Sequence, residues 1–248
     1  MSVKRFLFVC LLVLVVSWTI LYSFALALPH IARAQDVRFT CTEFIGYSQT
    51  NQWIPTAAVI MNNGGQDRVQ LRWQSGGDAA DWANPNYVGW TAAPQNPCDV
   101  GSATPDRVIL DVTHPIYLTP ANTGGDPVGY SESIIRSAVA TIRQRKPSAT
   151  TILLQPVVGG PNHATCPWAG AELGLNRASY NHPFIHQAIG RVVGGDVGFG
   201  FDSQVAACSQ YSDSIGHLTS GGITTVGQAI GVYYRDLGLA LAPTTTPV

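Results

Sequence analysis

Val37-Arg38-Phe39-Thr40-Cys41-Thr42-Glu43-Phe44-Ile45 runs directly into Gly46-Tyr47-Ser48-Gln49-Thr50. The first part is rich in Val, Phe, Thr and Ile, which suit a pleated and half-buried surface, and it stops at a glycine. It reads as a strand over 37–45 with Ser48 at its exit. Residues 107–112, Arg107-Val108-Ile109-Leu110-Asp111-Val112, form a nearly continuous apolar run after Pro105, the pattern of a parallel strand buried on both faces. Residues 150–158 and 197–201 read as strands too. Shorter β-compatible runs at 57–61 and 68–73 bracket the turn Asn62-Asn63-Gly64-Gly65.

Helical patterns lie between and after these strands. Ser131 is the expected N-cap of a helix whose apolar face is Ile134, Ile135, Ala138, Val139 and Ile142, ended by Pro147. Residues 186–193 and 225–239 read as helical as well. Alternation of apolar strands with helices predicts an α/β fold whose mostly parallel sheet is covered on both faces. There is no internal repeat.

Working outward, the N-terminus carries Lys4 and Arg5 before residues 6–28, which are apolar apart from Ser17, Thr19 and Ser23. Ala32-Arg33-Ala34 then supplies a small-x-small cleavage site. This is the layout of a signal peptide over 1–34, yet the apolar run is long enough to remain as a membrane anchor. Either way the basic n-region keeps the N-terminus inside, and the rest of the chain is exported. One domain is expected over 35–242, with a Thr/Pro-rich disordered tail at 243–248.

Charged residues are 12% of the chain, against about 25% in typical soluble domains. A net charge of −1 provides no field for nucleic acid or anionic lipid, so neither is an expected partner. The one basic cluster, Arg143, Arg145 and Lys146, closes a predicted helix and reads as a solvated helix end.

In a parallel sheet, ligands bind beyond the carboxyl ends of the strands. That places Ser48, Gly76-Gly77, Thr113-His114, the stretch Gly159-Gly160-Pro161-Asn162-His163 and the loop from Asp213 to His217 along one edge. A serine, a histidine and an aspartate are what nucleophilic acyl transfer needs: a hydroxyl, a base for its proton, and an acceptor that orients the base. Each has a plainer alternative. Ser48 could be a turn residue, His217 a surface histidine before a helix, and Asp213 a turn or capping residue.

These stretches resemble the blocks of the SGNH, or GDSL-like, hydrolases. Gly46-Tyr47-Ser48-Gln49-Thr50 is similar to the first block, Gly-Asp-Ser-x-Thr, with Tyr47 in the Asp position. Gly76-Gly77 resembles the second block, and His217-Leu218-Thr219 followed by Gly221-Gly222 resembles the last. The resemblance implies a flavodoxin-like three-layer α/β/α sandwich and a cofactor-free serine esterase. Ser48 would be its nucleophile, His217 its base and Asp213 the orienting acid. The oxyanion would be held near Gly77, Thr113 and His114. Exported members often act on acetylated polysaccharides, so the implied substrate is a carbohydrate O-acetyl ester, with a lipid acyl ester or acyl transfer as alternatives.

Two positions depart from the family pattern. Where the third block supplies an Asn, this chain reads Asp111-Val112-Thr113-His114-Pro115, and a protonated or suitably tautomeric His114 or the Thr113 hydroxyl could donate instead. Asn162 follows the next strand and is out of order. The last block usually reads Asp-x-x-His, but Ser214 holds the Asp place and Asp213 stands one residue further away. A bulged loop could bring Asp213 to the ring; otherwise a Ser–His dyad remains. The competing reading from another class is a non-catalytic extracellular carbohydrate-binding domain on the same fold.

Cys41, Cys98, Cys166 and Cys208 follow the leader, and in an oxidising compartment they suggest two disulfides, with three pairings possible. Cys41–Cys98 with Cys166–Cys208 is favoured, because the second bond would pin two loops expected beside the site. No metal is expected. No CxxC occurs, and Pro183 and a missing carboxylate weaken the His182/His186 pair, with His163 elsewhere. Trp53, Trp82, Trp90 and Trp168 are expected in loops beside the cleft, either as sugar-stacking platforms or as buried anchors.

Overall fold

The computed structural model describes residues 39–62, 67–98 and 104–240. The leader expected over 1–34, the tail expected over 243–248 and most of the turn after Asn62 lie outside the described residues. Five strands, β1 (Cys41–Gly46), β2 (Arg68–Trp73), β3 (Arg107–Val112), β4 (Thr151–Pro156) and β5 (Val197–Phe199), form one sheet in the order β2-β1-β3-β4-β5. Every pairing is parallel. The helices are α1 (Ser48–Met61), α2 (Ala79–Ala83), α3 (Pro127–Arg145), α4 (Arg177–Val192) and α5 (Ser220–Ala240). Helices α1 and α5 pack together, as do α2 with α3 and α3 with α4. The fold is an α/β/α sandwich, and β1 and β3 are buried along their whole length. Among the described residues no helix is long and apolar enough to cross a membrane.

The alternation of β1 side chains explains the layering. Phe44 meets the edges of Trp53 of α1 and Tyr234 of α5, each with ring centroids 5.6 Å away. Glu43 points the other way, where it accepts from Gln70 at 3.0 Å, pairs with Arg72, and meets Lys146 at 2.7 Å. Lys146 is therefore not part of a solvated helix end: it caps a buried carboxylate, and burial pulls its pKa down against the opposing pull of Glu43. Arg107 forms a second buried pair with Asp67 at 2.6 Å. Removing one partner of such a pair is far costlier than the pair's net contribution.

Several elements differ from the sequence reading. Residues 57–61 are not a strand but the last turns of α1, whose buried Trp53, Ile54, Ala57 and Met61 lie on one face; helical spacing wins over β propensity once a partner helix is present. Helix α3 starts at Pro127, with Asp126 accepting from Gly129 N–H at 2.9 Å, and Ser131 lies inside it. Helix α4 begins at Arg177, well before 186, and carries Pro183 in its interior. Its buried face includes Ser179, Asn181 and His182, so polar residues with specific partners mask the apolar period. Trp53 and Trp82 lie in helices, and Trp53, Trp82 and Trp90 are all buried, so they are core anchors.

Two disulfides join Cys41 to Cys98 and Cys166 to Cys208. The strand order reverses beside β1: the chain moves from β1 to β2 on one side, then returns to place β3 on the other. A crevice beyond the carboxyl ends of β1 and β3 is the expected ligand position of such a sheet.

Candidate active site

The stretch after β1 is shaped by close approach. A Cβ on Gly46 would lie 2.1 Å from Thr50 Oγ1 and 3.1 Å from Asp111 Cβ, so only glycine fits. Thr50 can then turn back, accepting from Tyr47 N–H at 3.2 Å and donating to Asp111 Oδ2 at 2.6 Å. These two hydrogen bonds of one hydroxyl tie the end of β1 to β3 and start α1 at Ser48. Ser48 thus occupies the first helical position, where backbone N–H groups have no intrahelical acceptor and the helix dipole favours negative charge.

His217 reaches Ser48 from the other end of the chain, with Nε2 2.6 Å from Ser48 Oγ. Its Nδ1 bonds to Asp213 Oδ2. A carboxylate can only accept, so the ring carries its proton on Nδ1 and presents a bare Nε2 to the serine hydroxyl. The other oxygen, Asp213 Oδ1, accepts from Ile215, Gly216 and His217 N–H, each at 3.0 Å. Burial pushes the Asp213 carboxyl up, but the bonds from the His217 ring and backbone outweigh it and hold the group below the usual carboxylate range.

The extra residue between Asp213 and His217 is absorbed at Gly216, whose φ of +113° is left-handed. A Cβ there would also lie 2.5 Å from Ala178 Cβ. The loop is clamped from both sides. Gln49 donates to Gly216 O, and Gln52 Oε1 accepts from Leu218 N–H at 2.9 Å. At the start of α4, the N-cap Asn176 donates to Asp213 O at 2.9 Å and Arg177 N–H to Ser214 O at 2.8 Å. Sequence reasoning missed these clamps. The spacing of Gln49 and Gln52, three apart on the helix that Ser48 opens, was the available signal.

The oxyanion candidates fare differently. Gly77 N–H donates to Gln74 O at 3.1 Å, closing a turn. Gly76, exposed in the same turn at φ +74°, has no acceptor for its amide among the described residues. The turn is held beside the end of β1 by Gln74 N–H donating to Gly46 O at 3.4 Å. Thr113 lies at the end of β3 with its carbonyl accepting from Ala79 N–H at 3.0 Å.

His114 is buried, its Nε2 2.9 Å from Ser131 Oγ and its Nδ1 without a partner. Burial pushes its pKa down to about 4, which favours the neutral ring at neutral pH. Asp111, beneath Thr50, is also buried; one oxygen has no partner, and desolvation pushes its pKa up to about 7. Tyr47 is buried near Asp111 and Thr113, and burial pushes its hydroxyl well above the usual range.

No family model matches the chain, and no curated protein matches it in sequence. Among solved structures it is similar to a family two carbohydrate esterase from Clostridium thermocellum, at 14% identity and a TM-score of 0.48 over 80% of this chain. The match spans 65% of that esterase chain. It is also similar to an acetyl xylan esterase, at 14% identity and a TM-score of 0.48, over 78% of this chain and 98% of the other. An extracellular lipase from Streptomyces rimosus aligns at 16% identity and a TM-score of 0.42, over 82% of this chain and all of that one.

Proposed function

We propose that this chain is an exported serine esterase that cleaves a carboxylic ester, an O-acetyl group on a carbohydrate, through a covalent acyl-enzyme. The observation that carries the reading is the continuous line Ser48 Oγ, His217 Nε2, His217 Nδ1, Asp213, with 2.6 Å between hydroxyl and imidazole. A decayed binding domain has no reason to keep a carboxylate on one ring nitrogen and a serine hydroxyl on the other. The SGNH-like motif order supports the acetyl-carbohydrate assignment.

His217 Nε2 accepts the Ser48 proton as Oγ attacks the carbonyl carbon. Asp213 stabilises the imidazolium that forms. The tetrahedral oxyanion is held by the Ser48 amide at the start of α1 and by the free amide of Gly76 in place of Gly77, with the Thr113 hydroxyl or the neutral His114 ring at the β3 side. His217 then protonates the leaving sugar hydroxyl. Water repeats the sequence on the acyl-serine, returning the proton to Ser48 and releasing acetate.

The test is hydrolysis of p-nitrophenyl acetate and release of acetate from acetylated xylan, wild type against Ser48→Ala. Removing a triad member leaves only the residual catalysis of the remaining site, so the rate should fall by about 10³-fold or more. Equal rates in the two proteins would defeat the esterase reading. Activity confined to long-chain p-nitrophenyl esters would move the substrate from carbohydrate to lipid.

A further inference from the structure

A second cluster of chemistry-bearing side chains is shared between helix α4 and the loops that leave β4 and β5. Three imidazoles surround the Asp202 carboxylate. His182 Nε2 is 2.7 Å from Asp202 Oδ1, while His163 Nε2 and His186 Nε2 are 3.6 and 3.7 Å from Oδ2. His163 Nδ1 is also 2.8 Å from His182 Nδ1, and Gln204 Nε2 is 2.9 Å from His163 Nε2. His182 is fully buried, whereas His163 and His186 are more than two-fifths exposed. The backbone is moulded to this arrangement. Asn162 and His163 both adopt left-handed φ, +49° and +58°, and a Cβ on Gly159 would lie 2.8 Å from the His182 ring.

Proton accounting assigns the roles. Asp202 can only accept, so His182 donates from Nε2–H; with His182 as a neutral ring, its bare Nδ1 accepts from His163 Nδ1–H. His163 Nε2 is then an unprotonated lone pair, held now only by the exposed Gln204 amide. Buried His182 thus orients both His163 and Asp202 and leaves one nitrogen and one carboxylate oxygen facing each other at 3.6 Å. Tetrahedral zinc, with bonds of about 2.0–2.1 Å, places neighbouring donor atoms roughly 3.4 Å apart.

We propose that His163, Asp202 and His186 form a site for a divalent first-row transition ion, zinc by ligand type, with buried His182 as the residue that orients the first two. His186 completes the set by a rotation of its exposed side chain, and a water fills the open position. Two imidazoles and a carboxylate suit zinc better than calcium or magnesium, which take oxygen ligands. A buried histidine bonded to the ligands is the outer support that metal sites use to fix ligand orientation. The ion would cross-link the β4 loop, α4 and the β5 loop. From there the Cys166–Cys208 bond and Tyr211, whose hydroxyl donates to Val158 O at 2.7 Å, lead into the Asp213–His217 loop.

The experiment uses the full exported chain without a histidine tag, stripped with a chelator and dialysed, then reloaded with Zn²⁺ or Co²⁺. Metal content, Co²⁺ visible absorption and thermal melting are read together. The expected result is one ion per chain, a visible Co²⁺ spectrum of low coordination number, and a raised Tm. His163→Ala and His186→Ala should each weaken binding by at least about 100-fold, while Ser48→Ala binds like wild type. The melting of each metal-free variant against the metal-free wild type checks that the chain still folds. Less than a tenth of an equivalent bound, or unchanged affinity in either histidine variant, would overturn the proposal. Metal content is read independently of any esterase activity, so either reading can fail without the other.

Discussion

At Asp213 a single carboxylate serves two ends: one oxygen orients the His217 ring and the other gathers three backbone N–H groups. Asp213→Asn separates these functions. The amide oxygen can keep the three N–H bonds, but its NH₂ would face Nδ1 and force the ring proton onto Nε2, where it cannot accept from Ser48. The expected outcome is a loss of about 10³–10⁴ in kcat with little change in Tm; a loss under tenfold would show that Asp213 does not set the tautomer. Asp111 makes a different prediction. Its folded pKa of about 7 is raised by burial, so the folded protein holds this proton through a range where the unfolded chain has released it. The favourable contribution is complete below about pH 4 and is lost as pH rises through 7. Asp111→Asn keeps an acceptor for Thr50 and removes the titration. Its stability relative to wild type should therefore rise by roughly 2–4 kcal/mol between pH 4 and pH 8, measured by urea denaturation. His114, lowered by burial, acts with the opposite sign but is common to both proteins and cancels. A pH-independent difference would contradict the buried, uncompensated carboxyl.

At the scale of elements, the junction of β1 with α1 depends on Gly46. An alanine there must displace Thr50, a stiff buried side chain holding both Tyr47 N–H and Asp111. Gly46→Ala should cost about 2–4 kcal/mol through overpacking and two lost hydrogen bonds, and esterase activity should fall as Ser48 shifts. A variant with the wild-type denaturation midpoint would mean that the junction has slack that the packing denies. The five strands were legible because each is a short β-compatible run with a turn residue nearby, and the central β1 and β3 are buried along their whole length. Helices were read less well. Residues 57–61 of α1 carry β-compatible side chains, and only the packing of α1 on α5 selects the helix. In α4, Asn181 bonds Leu118 N–H at 2.9 Å and Ile116 O at 2.8 Å, and His182 bonds Asp202. A helix whose buried face is spent on such bonds shows no apolar stripe.

For the whole molecule, the two disulfides act on opposite sides of the sheet order. Cys41–Cys98 staples the β1–β2 side, and Cys166–Cys208 joins the segments after β4 and β5. The latter closes a separation of 42 residues, which in the chain-entropy model is worth about 4 kcal/mol. The double variant Cys166→Ala, Cys208→Ala should melt well below wild type and lose activity ahead of global unfolding, because the segment after Cys208 carries Asp213 and His217. An unchanged Tm would mean that the loops are held by tertiary contacts alone. What the amino-acid order determined by itself was the alternation of buried strands and helices, hence a parallel covered sheet, and a serine and a histidine far apart along the chain but both expected on one edge of it. These follow from local composition, periodicity and motif. Which donors face one another was decided only in three dimensions: Asp213 reaching across an extra residue, Gly77 spending its amide on a turn, and three histidines meeting Asp202. The physical reason is that these meetings depend on strand order and on the few left-handed residues that aim the loops, and distance along the chain carries neither.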